Sequence, residues 1–384
     1  MQVTHIVDFM ILMPLGGMLM RLFSITAKQF SFAVASYTFA AGLSSLLFAG
    51  FADRFDRKRL LLVVYAGLCA ATLACAFAQN FTMLVFARAL AGVFGGLMNS
   101  VVYAIAADLI PPTHRGRAMG LLGVAFPLAA TLGVPFSLFL ATHGLGWRAP
   151  FVVLVGVGVC LAVAAAIRLP TIREHLADRS GTQPSALSVV VDAMKVRNHR
   201  DAFALTALVT YSGFCVIPFI APVLTQNKVL SEQMLPWAYA MGGVATFFSV
   251  QSIGRWSDRA GHLRVFRTMT LAFLPAIVLM TFSAPLPLAG VLFVWTIFMV
   301  TASGRWTPGL ALVTSASAPA TRGSFLSVNS ALMQFASAAG TFVGGLILHT
   351  RADGFVERFS WVGVMSITFA LIAYVLAGRV KALS

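Results

Sequence analysis

Between two long apolar runs the chain turns abruptly charged, as Gly50-Phe51-Ala52-Asp53-Arg54-Phe55-Asp56-Arg57-Lys58-Arg59. The pattern returns in the second half as Trp256-Ser257-Asp258-Arg259-Ala260-Gly261-His262-Leu263-Arg264, with the Asp-Arg pair 205 residues further on. A second match follows, because "HRGRAMGLLG" at 114–123 and "TRGSFLSVNS" at 321–330 are 207 residues apart. Two nearly equal offsets at corresponding places mark a duplicated unit.

Working outward from these stretches, apolar runs fall at 2–23, 29–52, 60–79, 82–108, 116–142 and 148–169, then at 201–225, 234–257, 264–284, 286–313, 323–349 and 359–378. Each meets the length of about 20 residues that a membrane-spanning helix needs. Their continuity selects helices over the alternating strands of a membrane barrel. The expected fold is therefore all-α, with twelve transmembrane helices in two pseudo-symmetric six-helix bundles. Residues 1–169 and 201–384 form the bundles, and the polar stretch 170–200 reads as a cytoplasmic linker. Composition agrees: of 384 residues 59% are hydrophobic and 10% charged, and the mean hydropathy is +0.88. A soluble domain is about 25% charged.

Lys and Arg number 27 against 12 Asp and Glu, a net charge of +15. The basic residues sit in short connections and form no stripe with interleaved aromatics, which excludes a nucleic-acid partner. They instead set orientation: Arg54, Arg57, Lys58, Arg59, Arg115 and Arg117 share one side with Arg255, Arg259, Arg264, Arg322 and Arg379. The other side keeps Arg21, Lys28, Arg148, Lys228, Arg351 and Arg358. That bias predicts a multi-pass protein of the bacterial inner (plasma) membrane with both termini cytoplasmic. Cys69, Cys75, Cys160 and Cys215 lie in apolar runs without metal or redox spacing, so they read as packing residues.

A charge inside the hydrocarbon region costs several kcal/mol, on the order of 2.5 or more, and marks function. Asp8 is a carboxylate well inside the first run, with His5 three residues earlier on the same helical face. Burial favours the neutral carboxyl and a neighbouring arginine favours the ionised one, so a group balanced between them loads and releases a proton. Arg88 and Arg305 are buried cations. Equal span starts set the Asp8 and Arg88 backbones about 12 Å apart in depth, which leaves a direct pair open. No carboxylate of the second half lies at the depth of Arg305, so an anionic substrate group, carbonyls freed at Pro308, or Asp8 remain candidates to balance it.

Together the motif at 50–59, Arg88 within "ARALAGVFGG", "MPLG" at 13–16, "IPPTHRGRAMG" at 110–120, "GVPFS" at 133–137 and "GWRAPF" at 146–151 resemble the major facilitator superfamily over the whole chain. The similarity is to its bacterial drug/proton-antiporter and arabinose-efflux branch. Asp56 stands where that pattern usually has glycine, Val134 separates Gly133 from Pro135, and Ser137 stands where glycine is common. The resemblance implies a proton-coupling role for Arg88 and a conformational gate at Gly50, Asp53, Arg54 and Arg57. In it Asp53 meets the start of span eleven near Gly323 and Ser324, and Asp108 pairs with Arg57. Asp258 and Arg259 repeat the gate in the second half.

Polar and aromatic residues near mid-span are candidates to contact substrate: Asn99, Tyr103, Phe126, Tyr211, Phe214, Trp295, Trp306, Asn329 and Gln334, together with Arg305. Small residues four apart, at Gly92/Gly96, Gly116/Gly120 and Gly340/Gly344, predict close helix packing. Pro14, Pro127, Pro135 and Pro218 predict breaks or kinks. Neither a phosphate-binding lysine loop nor a hydrolase signature occurs, so no enzyme activity, cofactor or metal is expected. The expectation is a monomeric, proton-coupled secondary transporter that exports a small organic solute, with protons, substrate and membrane lipid as its partners. Solute uptake by symport, and a non-transporting membrane sensor of the same fold, are the alternatives.

Overall fold

The computed structural model describes residues 1–48, 55–110, 114, 121–172, 186–282, 286–318 and 322–382. Its helices are α1 (Gln2–Ile11), α2 (Gly16–Leu22), α3 (Ala27–Phe48), α4 (Arg57–Ala76), α5 (Phe81–Leu109), α6 (Leu121–Leu145) and α7 (Ala149–Arg168). There follow α8 (Ala186–Lys195), α9 (Arg197–Phe214), α10 (Ile217–Gln226), α11 (Leu235–Ala260), α12 (His262–Thr281), α13 (Leu288–Ser315), α14 (Arg322–Ile347) and α15 (Phe359–Leu376). Among the described residues ten spans are long and apolar enough to cross a membrane, with α9 and α10 taken together as one. The pair α1–α2, bent by 52°, makes an eleventh if read as one broken span. Pro14 lies in that break, where the helix would lose a hydrogen bond in any case.

Helix α11 has the length of a span, at 26 residues, but is not apolar enough to count on that ground. Gln251, Arg255, Asp258 and Arg259 crowd its last turns. Two local features add detail. Within the all-α fold, His349–Thr350 and Val356–Glu357 pair as a two-residue antiparallel hairpin, β1 and β2. Pairing satisfies backbone groups in a connection too short for another helix, and the Asn227 side chain brackets Val356 through bonds of 2.7 and 2.9 Å. The polar stretch 170–200 holds a helix of its own. Residues 186–195 form α8, and α9 already begins at Arg197 because His199 packs between Phe203 and Phe325.

Local chemistry explains several boundaries. Asp56 accepts from the backbone N–H groups of Lys58 and Arg59 at 2.9 and 3.3 Å, a helix cap that glycine could not supply by side chain. Its departure from the usual pattern thus starts α4. Small residues let backbones meet: Gly92 and Gly96 of α5 lie against the carbonyls of Tyr37 and Ala41 in α3. In the second half Gly340 and Gly344 of α14 lie in the same way against Tyr211 and Cys215 of α9. Gly116 and Gly120 fall outside the described residues.

The two ends of the molecule differ. At the end holding the turns around 22–27, 226–235 and 347–359, called here the distal face, the first and second halves interlock. The Gln226 side chain donates to Gly17 O at 2.8 Å, Ala27 N donates to Thr350 Oγ1 at 3.0 Å, and Arg21 pairs with Glu232. Phe32 meets Phe342 edge-on at 5.2 Å between centroids. One continuous apolar cluster there draws on Leu19 and Phe30 as well as Phe219 and Phe359. At the opposite, terminal face the buried apolar residues divide. One cluster, around Tyr65 and Leu68, belongs to the first half, and another, around Phe203 and Phe266, to the second. The space beside Gly123 and Gly323 is open.

Candidate functional site

Asp8 and Arg88 meet because their spans do not start level. The Gln2 side chain donates to Asn99 Oδ1 at 2.7 Å, and His5 Nε2 lies 3.1 Å from where a Cβ on Gly95 would sit. Helix α5 therefore runs ten residues past Asn99 toward the terminal face, to Leu109, about 15 Å at 1.5 Å per residue. That offset removes the depth gap. Arg88 Nη1 donates to Asp8 Oδ2 at 3.3 Å and to the Asp8 carbonyl at 3.1 Å, while Nη2 reaches the Phe9 carbonyl at 3.4 Å. Both side chains are almost wholly buried, at 3% and 1% exposed.

Two residues that carried no sequence signal complete the site. The guanidinium of Arg88 lies 4.4 Å over the ring of Tyr37, a cation–π contact. Thr72 Oγ1 lies 2.9 Å from Asp8 Oδ1 and also 2.9 Å from the Leu68 carbonyl. A hydroxyl has one hydrogen and rotates to suit its partners. Thr72 therefore donates to one of these two acceptors at a time. His5 is buried beside this site, with Nδ1 unpartnered among the described residues.

The second half holds its cation differently. Arg305 is buried, its Nη2 reaches the Val209 carbonyl at 3.5 Å, and its guanidinium lies 3.8 Å over the Phe273 ring. Its Nε and Nη1 have no hydrogen-bond partner among the described residues. Applying the 205-residue offset carries Asp8 to Gly213 and Phe9 to Phe214. Phe9 and Phe214 touch, with centroids 6.0 Å apart. Arg305 Nη2 lies 3.4 Å from where a Cβ on Gly213 would sit. The position 205 residues after Asp8 thus faces the cation of the second half without a side chain.

The other candidates scatter. Trp306 lines a cavity of ≈ 530 Å³ with Thr307, Leu310 and Arg322, and Gln334 lies against Gly42 at the seam of α3 and α14. Phe126 is exposed, and Tyr103 is half-buried one turn beyond Asn99. Asn329 is buried and accepts from Thr206 at 2.7 Å. Tyr211 packs on Phe369 at 4.3 Å and donates to Met365 Sδ. Trp295 is buried edge-on against Tyr239. At the terminal face Arg57 Nε donates to Asp108 Oδ2 at 3.0 Å, joining α4 to α5. Asp258 and Arg259 are exposed. Gly50, Asp53 and Arg54 lie outside the described residues. No group of side chains suited to a metal ion occurs among the described residues.

Comparison with known proteins agrees over the whole chain. The family profile "Major Facilitator Superfamily" matches residues 1–210 and 202–382. A chloramphenicol resistance protein of Streptomyces lividans is 31% identical over 325 residues, 82% of this chain and 79% of that protein. A chloramphenicol efflux pump of Mycobacterium tuberculosis is 27% identical over 230 residues, 58% of this chain and 52% of that one. Among solved structures, a bacterial homolog of the human lysosomal transporter Spinster, inward-facing and unoccupied, superposes with a TM-score of 0.78. It is 17% identical and covers 100% of this chain and 96% of its own.

Proposed function

The chain belongs to the major facilitator superfamily, and on that premise we propose that it exports a small organic solute in exchange for protons across a bacterial inner membrane. Membership makes it a multi-pass membrane transporter and not an enzyme. The observation that carries proton coupling is the buried Asp8–Arg88 pair with its two-way hydroxyl. A proton arriving from outside adds to Asp8 Oδ2 and weakens the Arg88 bond to that oxygen, Thr72 can still donate to Oδ1, and Arg88 keeps its bonds to the Asp8 and Phe9 carbonyls. The pair loosens without coming apart. His5 lies on the side from which the proton leaves.

In this reading residues 1–169 and 201–384 rock as two bundles about the linker 170–200, with α11 as the twelfth span. The positive-inside bias puts the terminal face in the cytoplasm, so the conformation described is inward-facing. Closing that face falls to the loop motif at Asp53 and Arg54, held by Arg57 and Asp108, with Asp258 and Arg259 as the repeat. Substrate sits among Phe214, Trp306 and Gln334, within reach of Arg305, while Asn329 and Tyr211 set the helices behind them. Displacing Phe214 pushes on Phe9, which carries the signal to its neighbour Asp8. The protein acts as a monomer.

The named relatives make chloramphenicol the first compound to test. Inverted vesicles holding the protein and given an acidic interior are expected to accumulate it. Asp8→Asn is expected to lose accumulation while retaining exchange of labelled for unlabelled compound. Accumulation driven by the gradient in that variant would overturn the coupling mechanism.

A further inference from the structure

A second cavity, ≈ 840 Å³, lies at the terminal face of the second half, between the ends of α12, α13 and α15. Its rim is basic. Arg264 is exposed on the first turn of α12, and its side chain makes no bond among the described residues. Arg267, less than one turn deeper, donates from Nε to the Tyr374 carbonyl at 3.4 Å and lies 5.0 Å over the Tyr374 ring. Among the described residues no carboxylate lines the cavity.

The remaining wall is built. Asn198 clasps the chain beyond α15, donating to the Lys381 carbonyl at 2.8 Å and accepting from Lys381 N at 2.9 Å, so Val380 and Ala382 close one side. Below the arginines the lining turns apolar. Leu271, two turns in from Arg264, is 49% exposed, and Leu312 stands beside it. Each helical turn descends about 5.4 Å, so the guanidinium groups stand above an apolar floor. An occupant must therefore carry a negative head and an apolar tail at a fixed separation.

We propose that this cavity binds an anionic phospholipid of the cytoplasmic leaflet. Its phosphate lies between Arg264 and Arg267, whose planar donors suit phosphate oxygens, and an acyl chain lies over Leu271 and Leu312. A basic pocket between membrane helices on that side is what such headgroups recognise. A soluble phosphate would leave the apolar floor uncovered, which is why the lipid is favoured. The site is separate from the Asp8–Arg88 pair and does not depend on the transport reading.

The test is lipid retention by the purified full chain, titrated with phosphatidylglycerol and with phosphatidylcholine and read by native mass spectrometry. Phosphatidylglycerol is expected to be held about tenfold more tightly, and Arg264→Glu to erase that preference. Thermal unfolding of Arg264→Glu in lipid-free detergent is expected to match the parent, since the Arg264 side chain has no partner among the described residues. Leu271→Asp is the second variant and is expected to weaken both lipids. Equal retention of the two lipids by the parent, or a preference that survives Arg264→Glu, would overturn the proposal. Displacement of bound phosphatidylglycerol by inorganic phosphate alone would do the same, by making this a site for soluble anions.

Discussion

Each half of the molecule buries an arginine in the membrane interior, and the two are treated in opposite ways. Arg88 has a carboxylate, two carbonyls and an aromatic ring around it. Arg305 has one long carbonyl contact and a ring, and two of its nitrogens are unpartnered among the described residues. The contrast traces to one pair of repeat-related positions, Asp8 in the first half and Gly213 in the second. Of these two positions, 205 residues apart, only the first carries a carboxylate. A buried pair whose members satisfy each other is stable at rest. A buried cation without a counter-charge is held by its surroundings at a cost, and it favours any ligand group that brings negative charge.

The largest effect expected is a difference in sign. Arg88→Met strands the Asp8 carboxylate and should destabilise the protein by about 3–5 kcal/mol. Arg305→Met replaces an uncompensated charge by an apolar chain of similar length and should stabilise it, by at least the ~1 kcal/mol found when buried ion pairs are replaced by apolar residues. Thermal unfolding of the two purified variants reads this directly, and equal losses would break the comparison. A smaller effect sharpens it. Gly213→Asp places a carboxylate beside Arg305 and should raise stability by about 2 kcal/mol, the scale of a hydrogen bond to a charged group, with no gain when Arg305→Met is also present. The smallest concerns Tyr37, whose buried hydroxyl has no partner among the described residues. Tyr37→Phe keeps the ring under Arg88 and should change stability by less than about 1 kcal/mol, checked in the same unfolding assay.

The spans were legible because apolar length is a one-dimensional property. Helix α11 shows the limit of that reading, since its length is right but Pro236, Trp237, Tyr239, Gly242, Gly243 and Gln251 lower its apolarity even before its charged last turns. The pairing of Asp8 with Arg88 was not settled by sequence, because depth was counted from span ends assumed level. The Gln2–Asn99 bond shows that they are offset, and no residue in either run encodes the offset. Thr72 and Tyr37 were missed for another reason: in an apolar run each looks like ordinary packing, and their roles come from neighbours on other helices. That no carboxylate of the second half lies at the depth of Arg305 was legible, but whether Asp8 reached it from the first half was left open by the sequence. The hairpin at 349–357 was not, because two-residue strands have no periodicity to detect.

The break between α1 and α2 has a mechanical consequence. Its distal piece is fastened to the second half, through Gly17 to Gln226 and through Gly16 packed on Pro222. Its other piece is fastened to the first half, through Asp8 to Arg88 and Gln2 to Asn99. If the halves rock as proposed, a straight rod gripped at both ends in this way would transmit torque from one half to the other and shear the ion pair at each swing. In that motion the bend at 12–15 would act as a universal joint, taking up the rotation so that the carboxylate and its arginine ride together as cargo of the first half.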